Sequence, residues 1–132
     1  MTNDTRLLSA ALIAFGAAFC SLYAMLLIWP SGWAWHEGSP ASSDYFMMIA
    51  GVYATLGIFM FRAARDPRAN ASLIWFVVAS SVVHALVMGW EALRNPMMQR
   101  HLIGDVPFLL VIAIVLGVLM SRASASSAKV AA

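Results

Sequence analysis

The chain has 132 residues, one domain's worth, of which 62% are hydrophobic and 11% charged. A soluble domain carries about a quarter charged residues, so water is excluded as the solvent for most of this surface, and a soluble enzyme is excluded with it. The formal net charge of +2 comes from few, scattered bases and gives no reason to expect a nucleic-acid partner.

Four stretches contain no Asp, Glu, Lys or Arg: Leu7 to Trp29, Tyr45 to Phe61, Ala71 to Trp90 and Val106 to Ser121, of 23, 17, 20 and 16 residues. As helices rising about 1.5 Å per residue they cover roughly 24 to 35 Å, against a hydrocarbon core of about 30 Å. The predicted fold is therefore all-α, an up-and-down four-helix transmembrane bundle. It forms a single domain over residues 1–122, with spans near 7–29, 45–62, 71–91 and 104–121, and a flexible tail over 123–132.

The first span follows Arg6 and is too long for the apolar region of a secretory signal, with no small-x-small cleavage site at its end, so it is expected to stay in the mature protein. Phe19 is too bulky to precede a lipidated Cys20. As the single cysteine, Cys20 makes no intramolecular disulfide and no thiolate metal cage, and its expected role is small apolar packing. Trp29-Pro30-Ser31-Gly32 stops the helix, because Pro removes a backbone donor and Gly breaks the pattern. The first connection, Pro30 to Asp44, carries no Lys or Arg and includes Trp33-Ala34-Trp35-His36, a Gly- and Pro-containing loop that reads as a lid or as part of an aromatic belt.

Ser43 or Asp44 suits the N-cap of the second helix, which ends at Arg65-Asp66-Pro67 beside Arg62 and Arg68. Arg94-Asn95-Pro96 ends the third, and Asp105 before Val106-Pro107 starts the fourth. Small residues at four-residue spacing allow close helix approach in lipid; Ala10, Ala14 and Ala18 form such a stripe on the first helix, and Ser81, Ala85 and Gly89 one on the third. Six of the eight bases fall on the N-terminal tail, the second connection and the C-terminal tail, which places both termini in the cytoplasm and the first and third connections in the periplasm.

His84 stands near the middle of the third span, where an ionisable side chain is costly unless it is satisfied or functional. Ser80 lies one turn before it and Glu91 two turns after it, on one helix face. Two roles are open: a polar track running inward from the periplasmic rim, or a neutral imidazole bonded to Ser80, Thr55 or Tyr53 that joins helices. His101 and Asp105 fall on the same rim. Thioether and imidazole donors from His36, His84, His101, Met47, Met48, Met97 and Met98 would suit copper, but the histidines are read as lacking a partner at helical spacing among the other histidines and the carboxylates, and no metal or other cofactor is assigned. Nucleophilic triads, phosphate loops and HExxH are absent from the sequence.

The string Trp29-Pro30-Ser31-Gly32-Trp33-Ala34-Trp35-His36, with Gly51-Val52-Tyr53-Ala54-Thr55-Leu56-Gly57 and Ser72-Leu73-Ile74-Trp75-Phe76 through His84, resembles a family of small uncharacterised bacterial four-helix membrane proteins. The match runs from about Leu7 to Arg122. It implies the fold and a bacterial inner-membrane location, and it supplies no reaction.

The expected function is binding of a small hydrophobic ligand at a periplasm-facing site. Candidate residues are Tyr53, Ser80, His84, Glu91, His101 and Asp105, with Trp33 and Trp35 as a lid. A structural subunit of a larger membrane complex or homo-oligomer is the alternative, and an enzyme acting on a quinone or lipid a third reading, with His84 as acid or base.

Overall fold

A continuous run of apolar side chains has no water to satisfy its backbone, so in lipid it must close its own hydrogen bonds, and helices do this within one segment. The computed structural model describes residues 3–35 and 38–131, without the side chains of 126–131. It contains five α-helices, α1 (Asn3–Cys20), α2 (Leu22–Ile28), α3 (Asp44–Ala63), α4 (Ala71–Arg94) and α5 (Asp105–Ala131), and no strand among the described residues. Single-turn to two-turn 3₁₀ segments at Pro30–Trp33, Pro40–Ser42 and Pro96–Leu102 fill the connections. Each of these begins with Pro, whose fixed φ suits a first helical turn and whose missing N–H costs nothing there.

Three segments are long and apolar enough to cross a membrane: α3, α4 and Pro96–Ala125, which includes most of α5. The expected first span is broken. α1 and α2 meet at Ser21 with a bend of 63° and together make a fourth candidate crossing. The cause is local: the Ser21 hydroxyl donates to the Ala18 carbonyl at 3.0 Å, its N–H is shared between Ala17 and Ala18, and its ψ of 10° leaves the helical range. A hydroxyl that competes for the backbone ladder is an established cause of kinks.

The remaining boundaries lie close to the expected ones. Ser43 accepts from the Phe46 N–H at 3.3 Å and caps α3, and Asn95 accepts from the Met97 N–H at 3.0 Å beyond the end of α4. α5 continues past the apolar stretch, which ends at Ser121, to Ala131. Within it, Ser121 and Ser124 donate to the carbonyls four residues back, at 2.8 and 3.0 Å, so their hydroxyls need no outside partner.

The core joins Leu8 and Leu12 of α1, Met60 and Ala63 of α3, Ile74 and Val77 of α4, and Leu116 and Met120 of α5, all buried. Early residues of α1 and α4 thus pack with late residues of α3 and α5, so the long helices alternate in direction. α1 packs on both α3 and α5, and α5 packs on α4, whereas α3 and α4 scarcely touch. α1 and α3 approach closely at Gly16 and Gly57: a methyl group on Gly57 would come within 2.5 Å of the Gly16 carbonyl oxygen. Of the expected packing stripe of the first helix, Ala10 and Ala14 are exposed instead and Ala18 is half-buried. Four-residue spacing of small side chains recurs on several faces of an Ala-rich helix, and the face chosen is the one that also buries Leu8, Leu12 and Phe19. On α4 the expected stripe packs in part: Ser81 and Ala85 are each 3% exposed, whereas Gly89 faces open space.

The outer faces are apolar, with Val83, Leu86 and Ile114 more than half exposed. Such a surface is an aggregation liability in water and an ordinary one in lipid.

Candidate functional site

The packed core fills the end of the bundle that holds the second connection. That connection is tied down by Arg68, which donates to the Ala123 carbonyl at 3.4 Å, and by an Asp66 turn that accepts from the Ala69 N–H at 3.1 Å. The other end is hollow. Beyond the bend at Ser21, residues of α2 help to line a cavity of about 530 Å³. This lies within the range of small-molecule sites, about 300 to 1,000 Å³.

The roof of the cavity is made by the first and third connections, which meet backbone to backbone. A Cβ on Gly104 would lie 1.5 Å from the Gly32 carbonyl oxygen, so no side chain fits there, and one on Gly32 would meet the Trp29 ring at 2.4 Å. The first connection is held in a tight turn by Ala34, at φ 49° the only described non-glycine residue in the left-handed region. Its N–H donates to the Ser31 carbonyl, while that of Trp35 donates to the Pro30 carbonyl. The two tryptophans on either side, Trp33 and Trp35, both line the cavity. The Trp35 indole N–H donates to the Gly38 carbonyl at 3.0 Å, and its ring lies 5.3 Å from that of Phe46. Trp29 and Trp90 are exposed, 47% and 59%, at the positions of an interfacial belt.

Two polar pairs interrupt a lining otherwise made mainly of aromatic, aliphatic and thioether side chains. On one wall Tyr53 of α3 and His84 of α4 share a hydrogen bond of 2.5 Å between the phenol oxygen and Nδ1. With the hydroxyl donating, the neutral imidazole carries its proton on Nε2. Phe19 packs edge-on against Tyr53 at 4.8 Å and fixes the phenol ring. On the other wall the His101 Nδ1–H donates to both oxygens of Asp105, at 2.8 and 2.9 Å. Asp105 also accepts from the Val106 N–H at 3.1 Å in the first turn of α5, where the helix dipole favours a carboxylate. The side chains of His101 and Asp105 are 10% and 9% exposed. Tyr53 and His84 are both within electrostatic reach of Asp105.

The structure therefore brings together Trp33, Trp35, Tyr53, His84, His101 and Asp105 around one cavity. It leaves out Ser80 and Glu91. Ser80 donates to the Val77 carbonyl at 3.2 Å, so its hydroxyl is satisfied by its own helix and not by His84. Glu91 is exposed at the end of α4, and the neighbouring Arg94 lies over the Trp90 ring, 5.3 Å from its centroid, and not against Glu91. The polar track along a single helix face is thus replaced by a bond across two helices. Among the described residues no three His, Cys, Asp or Glu side chains converge to hold a metal ion. His36 lies outside the described residues. Of the four methionines noted with it, Met97 and Met98 line the cavity and Met47 and Met48 face outward on α3.

A family model matches residues 2–131, nearly the whole chain. The chain belongs to DUF6632, a family of unknown function. No curated protein and no solved structure matches this DUF6632 member.

Some features of the DUF6632 site have a sequence signal that composition and helix faces pass over. His101 and Asp105 are four residues apart, the spacing of neighbours on a helix, but Pro96 and Gly104 make the segment read as a loop. Met25 and Met88, which also line the cavity, lie inside apolar runs and have no distinguishing local pattern.

Proposed function

We propose that this DUF6632 protein is a four-span protein of the bacterial inner membrane, both termini cytoplasmic, whose periplasm-facing cavity binds a small hydrophobic ligand. The observation that carries the proposal is the cavity of about 530 Å³ with two histidines, each oriented by a partner, in an aromatic and thioether lining. A helix bundle serving only as a packing subunit has no need of a hollow end, because voids forfeit the contacts on which association in lipid depends. The charge asymmetry of the connections supports the orientation, and the bent first segment supplies the fourth crossing.

Native mass spectrometry of the full chain released from mild detergent tests this. The expected result is a discrete adduct of a few hundred daltons, lost in Met88→Trp, which fills the cavity from α4. An adduct-free wild type, or an adduct that survives cavity filling, would refute it.

A further inference from the structure

The two histidines present opposite hydrogen-bonding characters to the cavity. At His101 the carboxylate of Asp105 holds the proton on Nδ1, which leaves the Nε2 of the neutral ring as an acceptor. That nitrogen has no hydrogen-bond partner among the described residues and is not fully buried, and His101 is one of the residues that line the cavity. At His84, with the Tyr53 hydroxyl donating to Nδ1, the neutral ring keeps its proton on Nε2, which is then a donor. Among the described residues no Lys or Arg lines the cavity and Asp105 does, which disfavours an anionic ligand. The rings of Trp33, Trp35, Phe46 and Phe108 supply flat apolar walls.

Resting on the ligand-cavity reading above, we propose that the cavity recognises a neutral aromatic alcohol of the phenol or hydroquinone class, whose hydroxyl donates to His101 Nε2 and whose oxygen accepts from His84 Nε2–H. The aromatic body packs among the walls. A carboxylate or phosphate finds no cation here, and a plain hydrocarbon leaves both ring nitrogens without a partner, which costs binding free energy.

A matched pair of probes isolates the hydroxyl: 4-propylphenol and 4-propylanisole differ by one methyl group that removes the donor. The wild-type full chain, incubated with an equimolar mixture and examined by native mass spectrometry, is expected to retain the phenol about tenfold over the anisole, the ratio given by one or two hydrogen bonds in a dry site. His101→Phe keeps the ring and removes the acceptor, and the ratio is expected to fall to about one while the anisole still binds. Equal retention of the two probes by the wild type would overturn the phenol assignment and leave an apolar binding cavity standing. Retention of neither would overturn both. The wild-type ratio decides the matter even where a variant fails to fold.

Discussion

Gly104→Ala is the sharpest test of how the cavity is closed. The added methyl carbon would lie 1.5 Å from the Gly32 carbonyl oxygen, while an ordinary van der Waals contact begins near 3.4 Å, so the first and third connections must separate by about 2 Å. Gly104 has no positive φ, hence the cost is steric and not conformational. Overpacking of this kind costs about 1 to 3 kcal/mol, and the reduced freedom of the unfolded chain returns roughly 0.4 to 1 kcal/mol, so a net loss centred on about 1.3 kcal/mol and no larger than about 2.6 kcal/mol is expected. Three of the five tryptophans, Trp29, Trp33 and Trp35, belong to the displaced connection. Intrinsic fluorescence therefore reports on the roof directly: the variant should show a red-shifted emission, greater acrylamide quenching and a melting point a few degrees lower. Gly51→Ala and Gly89→Ala are the controls, since a methyl at either meets nothing within 4 Å, and both should melt at or above the wild-type temperature. A Gly104→Ala protein with wild-type emission, quenching and melting point would refute the backbone contact between the two connections.

Tyr53→Phe removes the hydroxyl bonded to His84 and should lower stability by about 0.5 to 1.5 kcal/mol in thermal melts, with no loss beyond that of His84→Ala in the double variant, because both delete one interaction. Gly57→Leu should be far more damaging than Gly51→Leu, since its side chain must enter the Gly16 and Cys20 contact between α1 and α3; size-exclusion profiles in detergent distinguish a folded from an aggregated variant. Ala34→Gly should raise stability by about 0.5 to 1 kcal/mol, the left-handed cost of an L residue less the added freedom of glycine, and an unchanged or lower melting point would contradict the turn geometry.

Legibility in the sequence divides by the range of the physics. The starts and stops of α3 and α4 are written locally, in the Ser43 hydroxyl, the Asn95 carboxamide and the prolines that follow, and they fall within a few residues of the expected positions. The break at Ser21 is not, because a Ser inside an apolar run bonds back to its own helix in straight stretches too, as Ser80 does in α4 and Ser121 in α5. Gly32 and Gly104 lie in different connections, and no local pattern relates them. Likewise, the partner of His84 is on another helix. A face drawn along α4 selects Ser80 and Glu91, whereas the tertiary structure selects Tyr53. Chemistry-bearing residues at the loop-bearing end were legible because ionisable and aromatic side chains are rare in this composition; their pairing depends on long-range packing.

The methionines provide a built-in map of whether a ligand binds in the hollow end of the bundle. Met25, Met88, Met97 and Met98 line the cavity, Met47 and Met48 face outward, and Met60 and Met120 sit in the packed core. A methyl-labelled methionine NMR titration of the full chain with 4-propylphenol should shift the four cavity signals and leave those of Met60 and Met120 in place. Shifts confined to Met47 and Met48, or none at all, would contradict binding in the cavity.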